Sequence, residues 1–124
     1  MSETRCRGIR GAISVQSNTA DKIAEATGTL LEAIVIENEI DPEDIASVFF
    51  TVTADLNAEF PAVAARAMGW RYVPLICSTE INVPNCLARC IRVLLHVNTE
   101  KSQKEIKHIY LGEAAILRED LLPG

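Results

Sequence analysis

The chain has 124 residues and a mass of 13.6 kDa, which predicts a single domain over 1–124, since domains run to roughly 150 residues. Hydrophobic residues make up 48% and charged residues 23%, a globular balance that excludes disorder and collagen-like structure. The formal charge of −5 argues against a nucleic-acid partner, because phosphate contacts need a concentrated basic face.

The first predicted element is a strand from Cys6 to Val15, with Ile9, Ile13 and Val15 on one face and Cys6, Gly8, Arg10, Ala12 and Ser14 on the other. That second face is nearly all small, so Arg10 has space around it for a neighbouring chain or a ligand. Asn18 or Thr19 then caps a helix whose apolar positions Ile23, Ala26, Thr27, Leu30, Leu31 and Ile34 follow a helical spacing, with Glu25, Glu32 and Glu37 outward. Such a helix lies on a sheet. Asp41-Pro42-Glu43-Asp44 combines a cap, a proline at the first helical position and early acids, predicting a short helical turn before a strand at Ser47 to Thr53.

Phe60-Pro61 opens a short Ala-rich helix that carries Arg66 and ends at Gly69. Tyr72 to Ser78 is expected to be a third strand, and Pro74 within it, lacking an N–H, places that strand at an edge or a bulge. Cys90 to Asn98 is the most regular strand, with Ile91, Val93, Leu95 and Val97 on one face and Cys90, Arg92, Leu94 and His96 on the other. A last strand is expected around His108 to Leu111, before the apolar segment Ala114 to Leu117. Five strands with one long and several short helices, without regular βαβ alternation, predict an α+β fold with a mixed sheet and helices on one side.

The longest uncharged apolar-rich run, Ile45 to Ala54, is far short of the roughly 18 residues of a membrane span, so no membrane partner is expected. Met1 to Arg10 carries three arginines and no apolar core, unlike a secretory signal. Cys6, Cys77, Cys86 and Cys90 form no C-x-x-C pair and have no histidine at zinc-finger spacing, which predicts reduced thiols, a cytoplasmic setting and no metal site. Charge is uneven: residues 1–62 hold 4 basic and 11 acidic groups, whereas 63–124 hold 8 and 6. Arginine outnumbers lysine eight to four, a bias that suits bidentate recognition of carboxylates.

No Ser/His/Asp arrangement, P-loop or G-x-G-x-x-G is present, which removes the usual signals of nucleophilic hydrolysis, nucleotide chemistry and hydride transfer. Arginine remains. Arg92, between Cys90 and Leu94, needs an anion or good acceptors, supplied either by a salt bridge inside the fold or an interface, or by a ligand. Arg10 carries the same two readings. Glu80 reads first as a solvated loop acid, and Tyr110, Cys77 and Phe60 as core. His96 and His108 have no motif partner that would make either a general acid or base.

Taken together, six ordered blocks go further. Arg7-Gly8-Ile9-Arg10-Gly11-Ala12, Phe60-Pro61-Ala62 with Arg66, Gly69-Trp70-Arg71-Tyr72-Val73-Pro74-Leu75, Cys77 with Glu80, Leu87-Ala88-Arg89-Cys90-Ile91-Arg92-Val93 and His108-Ile109-Tyr110-Leu111 closely resemble the monofunctional AroH-class chorismate mutases over essentially the whole chain. The resemblance implies a homotrimer, a trimeric pseudo-α/β-barrel with sheets around the threefold axis, and active sites in clefts between neighbouring subunits. It also implies the Claisen rearrangement of chorismate to prephenate, on the route to phenylalanine and tyrosine, without a cofactor.

Carried across by position, Arg92 matches the arginine at the ether oxygen and a carboxylate, Glu80 the acid that meets the ring hydroxyl, and Arg10 and Tyr110 the pair that holds the enolpyruvyl carboxylate. Phe60, Arg66, Cys77 and Ile76 match residues that complete the cleft. The chain departs from the family where Val63 stands at a position that can carry lysine, where Ile76 stands at one that can carry threonine, and in a helix between Arg66 and Trp70 that can be one residue longer in relatives. Two other readings are an enamine or imine deaminase of the RidA type, whose own motifs are not seen, and a non-catalytic trimer that binds metabolites and would lose Arg92 or Glu80.

Overall fold

The structure, a computed structural model, describes residues 3–121. In chain order it contains β1 (Arg5–Ser14), α1 (Ala20–Glu37), β2 (Ile45–Val52), α2 (Ala62–Ala67), β3 (Leu75–Thr79), β4 (Cys90–Thr99) and β5 (Ile109–Leu111), with 3-10 segments at Pro42–Asp44, Gln103–Glu105 and Gly112–Leu121. The strands form one mixed sheet in the order β3-β2-β4-β1-β5. Central β4 runs antiparallel to β1 and β2, while the outer strands β5 and β3 run parallel to β1 and β2 respectively.

Local chemistry sets the elements. Thr19 caps α1 by accepting from the Lys22 N–H at 3.2 Å, and Asp41 caps the turn at Pro42 by accepting from the Glu43 N–H at 3.0 Å. The far end of α1 is fastened by buried Asn38. Its amide donates to the carbonyls of Ile34 (3.1 Å) and Lys107 (2.9 Å), and its side-chain oxygen accepts from the Lys107 N–H (2.8 Å). That side chain ties the helix to the segment leading into β5.

One sheet face is covered by α1. Ile23, Leu30, Leu31 and Ile34 pack on Ile9, Ile13, Val48, Phe50, Ile91, Val93, Leu95 and Val97, all buried. This is the alternation expected from the apolar spacing of α1 and β4. Gly11 lets the helix seat closely, because a Cβ there would stand 2.9 Å from Ile34 Cδ1 and 3.0 Å from Val93 Cγ1. The opposite face carries Ser47, Phe49, Thr51, Arg92, Leu94, His96, Arg10 and Tyr110, and α1 does not cover it.

Two expectations change. The third strand starts at Leu75, not Tyr72, so Pro74 precedes it and contributes a carbonyl that accepts from the Val48 N–H at 3.0 Å. The strand does lie at the sheet edge, as a nearby proline requires. Phe60 is not core: it is 67% exposed, because it stands ahead of α2 and turns no face toward the packed layer. Among the described residues, no helix is long and apolar enough to cross a membrane.

Candidate active site

The register of the sheet brings the chemistry-bearing residues into two adjacent rows on the open face. In one row, Thr51 of β2 is paired with Arg92 of β4, Arg92 with Ala12 of β1, and Ala12 with Tyr110 of β5. In the next, Phe49 is paired with Leu94 and Leu94 with Arg10. Glu80 follows β3 directly, held by its N–H to the Val52 carbonyl at 2.8 Å. Arg10, Phe49, Thr51, Glu80, Arg92, Leu94 and Tyr110, with Ile116 and Leu117 of the last 3-10 segment, line a cavity of about 880 Å³.

Arg92 and Glu80 face each other there, with Arg92 Nε 3.7 Å from Glu80 Oε2. The Thr51 hydroxyl donates to the same oxygen at 2.5 Å. The Arg92 side chain is 46% exposed and that of Glu80 27%, so the guanidinium is less desolvated than its strand position suggests. Its internal partner is an acid in the same cavity, which joins the salt-bridge and ligand readings. The Arg10 guanidinium lies 5.9 Å from the centre of the Tyr110 ring, at the outer reach of a cation–π contact. Among the described lining residues two guanidiniums stand with one carboxylate, in a protein of net charge −5, a setting for an anion.

Arg92 is placed by a clamp on Arg89 and Cys90, three and two residues upstream. Arg89 adopts a left-handed backbone, φ 46°, and both Asp55 carboxylate oxygens accept from its N–H at 3.2 and 3.0 Å. The Thr53 hydroxyl accepts from the Cys90 N–H at 3.0 Å while donating to Asp55. At the other end, Gly112, at φ +61°, turns the chain so that the Glu113 N–H reaches Ser14 Oγ at 2.9 Å. This turn brings Ala114 down onto Ala12, Cys90 and Tyr110. Burial pushes the Cys90 thiol above its ordinary pKa, against the pull of the Arg92 charge, so it is a packing group and not a nucleophile.

The remaining candidates stand apart. Phe60 and Cys77 line a separate groove with Val52 and Thr79, and Arg66 lines another with Trp70, Arg71 and Leu75. Cys77 is half-buried against the helix-side core and not fully inside it. Ile76 is 55% exposed on the open face, paired with Phe49 at the cavity's edge. Neither histidine enters the cavity: His96 shares a 3.1 Å hydrogen bond with Ser47, and His108 Nδ1 accepts from the Arg10 N–H at 2.9 Å.

Sequence reading missed Thr51, Phe49, Leu94, Ile116 and Leu117 as lining residues. The period-2 alternation of β2 puts Thr51 beside Arg92 once the register with β4 is known. No group of three or more metal-ligating side chains is found among the described residues.

The family model for chorismate mutase type I matches residues 6–121. The chain is 45% identical over 116 residues to chorismate mutase AroH of Bacillus subtilis (strain 168), covering 93% of this chain and 91% of that protein. It is 48% identical over 116 residues to chorismate mutase AroH of Thermus thermophilus, covering 93% and 95%. Among solved structures, a chorismate mutase from Clostridium thermocellum superposes with a TM-score of 0.88 at 51% identity, covering 89% of this chain and 98% of that one. A match across nearly the whole chain, in sequence and in fold, shows that this protein belongs to the type I chorismate mutases and is an isomerase.

Proposed function

We propose that residues 1–124 act as one chorismate mutase domain, working in the cytoplasm as a homotrimer whose active sites combine the Arg92 cavity of one subunit, with Ile76 at its edge, and the Phe60, Arg66 and Cys77 region of a neighbour. The observation that carries this reading is the separation just described. Eight candidate residues matched to one cleft fall into the Arg92 cavity and its edge and into groups outside it, and a second copy is the simplest way to join them. Exposed Phe49, Leu94 and Ile76 beside the cavity support the same arrangement, since contiguous apolar surface of this kind is covered in stable assemblies. Four unpaired thiols suit the cytoplasm.

The chemistry suits what the cavity contains. Chorismate is a dianion, and its rearrangement to prephenate is pericyclic, so it needs neither proton transfer nor a nucleophile. It needs the substrate held in a chair-like geometry, which is an orientation problem. It also gains from a fixed cation where negative charge builds on the ether oxygen as the C–O bond breaks ahead of C–C formation. Arg92 on rigid β4 supplies that cation, Arg10 and Tyr110 hold a carboxylate, Glu80 meets the ring hydroxyl, and the neighbour's groups close the cleft. With both Arg92 and Glu80 in place, the non-catalytic reading loses its premise, and nothing in the site favours a deaminase.

One mixing experiment tests site sharing and the role of Arg92. Arg92→Gln should lower kcat by roughly 10² to 10³, the range for losing one oxyanion donor, with KM changing less. Arg66→Ala should also be impaired. After the two inactive variants exchange subunits at equal ratio, about one site in four has both arginines, so activity should recover to about a quarter of the parent. No recovery after verified exchange would refute the shared site, and Arg92→Gln with kcat within about threefold of the parent would refute the transition-state role.

A further inference from the structure

We propose that Thr51 is a positioning residue that holds the Glu80 carboxylate away from Arg92 and so keeps both groups available to the substrate. This rests on the roles given to Arg92 and Glu80 above. The Glu80 backbone is fixed by its hydrogen bond to Val52, but its side chain has the freedom to swing toward a cation beside it. That cation is Arg92, whose Nε stands 3.7 Å from Oε2, well beyond the roughly 2.7–2.9 Å of a charge-assisted hydrogen bond.

A carboxylate and a guanidinium this close normally close into a direct, often bidentate pair. Closure here would spend the Arg92 charge on an internal acid and withdraw Glu80 from a substrate hydroxyl. The Thr51 hydroxyl, donating to Oε2 at 2.5 Å, opposes that movement. Thr51 and Arg92 are cross-strand partners on β2 and β4, so the donor's backbone is as rigid as that of the guanidinium. A neutral donor is suited to the task, because it satisfies the carboxylate without cancelling its charge. Both contacts converge on Oε2, which makes Oε1 the oxygen offered to substrate.

The test is steady-state kinetics of chorismate consumption by the assembled enzyme carrying Thr51→Val, which keeps the shape and removes the donor, and Thr51→Ser, which keeps the donor. Thr51→Val should lower kcat by about tenfold, the scale of one hydrogen bond to a charged group, with KM changing less than about threefold. Thr51→Ser should retain kcat within about twofold of the parent, and in a Glu80→Gln background Thr51→Val should have almost no further effect, because the residue acts through Glu80. If valine prevents folding, Thr51→Ala removes the same donor.

An unchanged kcat in Thr51→Val, equal losses in Thr51→Val and Thr51→Ser, or a full further loss in the Glu80→Gln background would each overturn the proposal. Glu80→Gln alone separates the two levels of inference. If it leaves kcat unchanged, the role of Glu80 fails; if it lowers kcat while Thr51→Val does not, only the role of Thr51 fails.

Discussion

Phe49 and Phe50 are neighbours on β2, yet Phe50 is wholly buried under α1 while Phe49 is 47% exposed on the opposite face. The same alternation runs through β4, where Ile91, Val93, Leu95 and Val97 are buried and Arg92 and Leu94 are exposed. The helix-side face is closed within the chain, so its residues are chosen by apolar packing alone. The open face mixes arginine, threonine and histidine with phenylalanine and leucine, a mixture that serves neither a solvated surface nor a dry core. In the proposed trimer such a face would be shared between a ligand and a neighbouring subunit, which calls for both kinds of residue.

The phenylalanine pair gives the largest test of that contrast. Phe50→Ala should cost about 3–5 kcal/mol of chain stability, through lost burial and the cavity left behind. Phe49→Ala, measured by urea unfolding at the same dilute concentration, should cost much less, with a loss that grows as protein concentration rises, because stability gained from association follows mass action. Equal losses for the two at every concentration would erase the distinction between the faces.

The closed face was the more legible of the two in sequence. The spacing of Ile23, Leu30, Leu31 and Ile34 and the alternation of β4 place the core without any structure, because burial within one chain leaves a periodic trace. The open face leaves no such trace, and exposed apolar residues elsewhere mislead in the same way: Phe60, ahead of α2, reads as core and is exposed, since apolar character alone does not show that a residue is covered within its own chain. Arg92, Glu80, Arg10 and Tyr110 came from the family resemblance, and the residues themselves supported only a general preference for anions. Thr51 was missed because its importance depends on its pairing with Arg92, and register between strands distant in sequence is not written in local pattern. The start of β3 was misplaced at Tyr72 because an apolar run on either side of Pro74 reads as continuous strand.

A smaller test uses two glycines of β1 that point to opposite faces. A Cβ at Gly11 would meet Ile34 Cδ1 at 2.9 Å and the Ile109 carbonyl oxygen at 3.1 Å, whereas at Gly8 it would meet only Leu94 Cδ1, at an ordinary 3.5 Å. Gly11→Ala should therefore destabilise by about 1–3 kcal/mol, the usual cost of overpacking. Gly8→Ala should be neutral or slightly stabilising, since alanine loses less entropy than glycine in a strand. Urea unfolding of both variants checks this, and a Gly8→Ala cost equal to that of Gly11→Ala would show that the open face is packed as tightly as the helix side.

The smallest expected effect concerns Cys90, an exception on the open face because Ala12, Tyr110 and Ala114 bury it. Burial raises its thiol pKa in the folded chain, with the Arg92 charge pulling the other way. On raising the pH, the unfolded chain therefore loses this proton first, and fewer protons bound in the unfolded state mean that stability falls as pH rises. The contribution is fully present below the ordinary thiol pKa and is lost as pH climbs above it, toward the raised value in the fold. Cys90→Ala removes the titrating group, so its unfolding free energy should fall less steeply than the parent's between about pH 8 and pH 10. Comparing slopes, not absolute stabilities, cancels the packing lost with the sulfur. Parallel slopes would mean that Cys90 titrates alike in the folded and unfolded chain, and that the last 3-10 segment does not shield this corner of the open face from water.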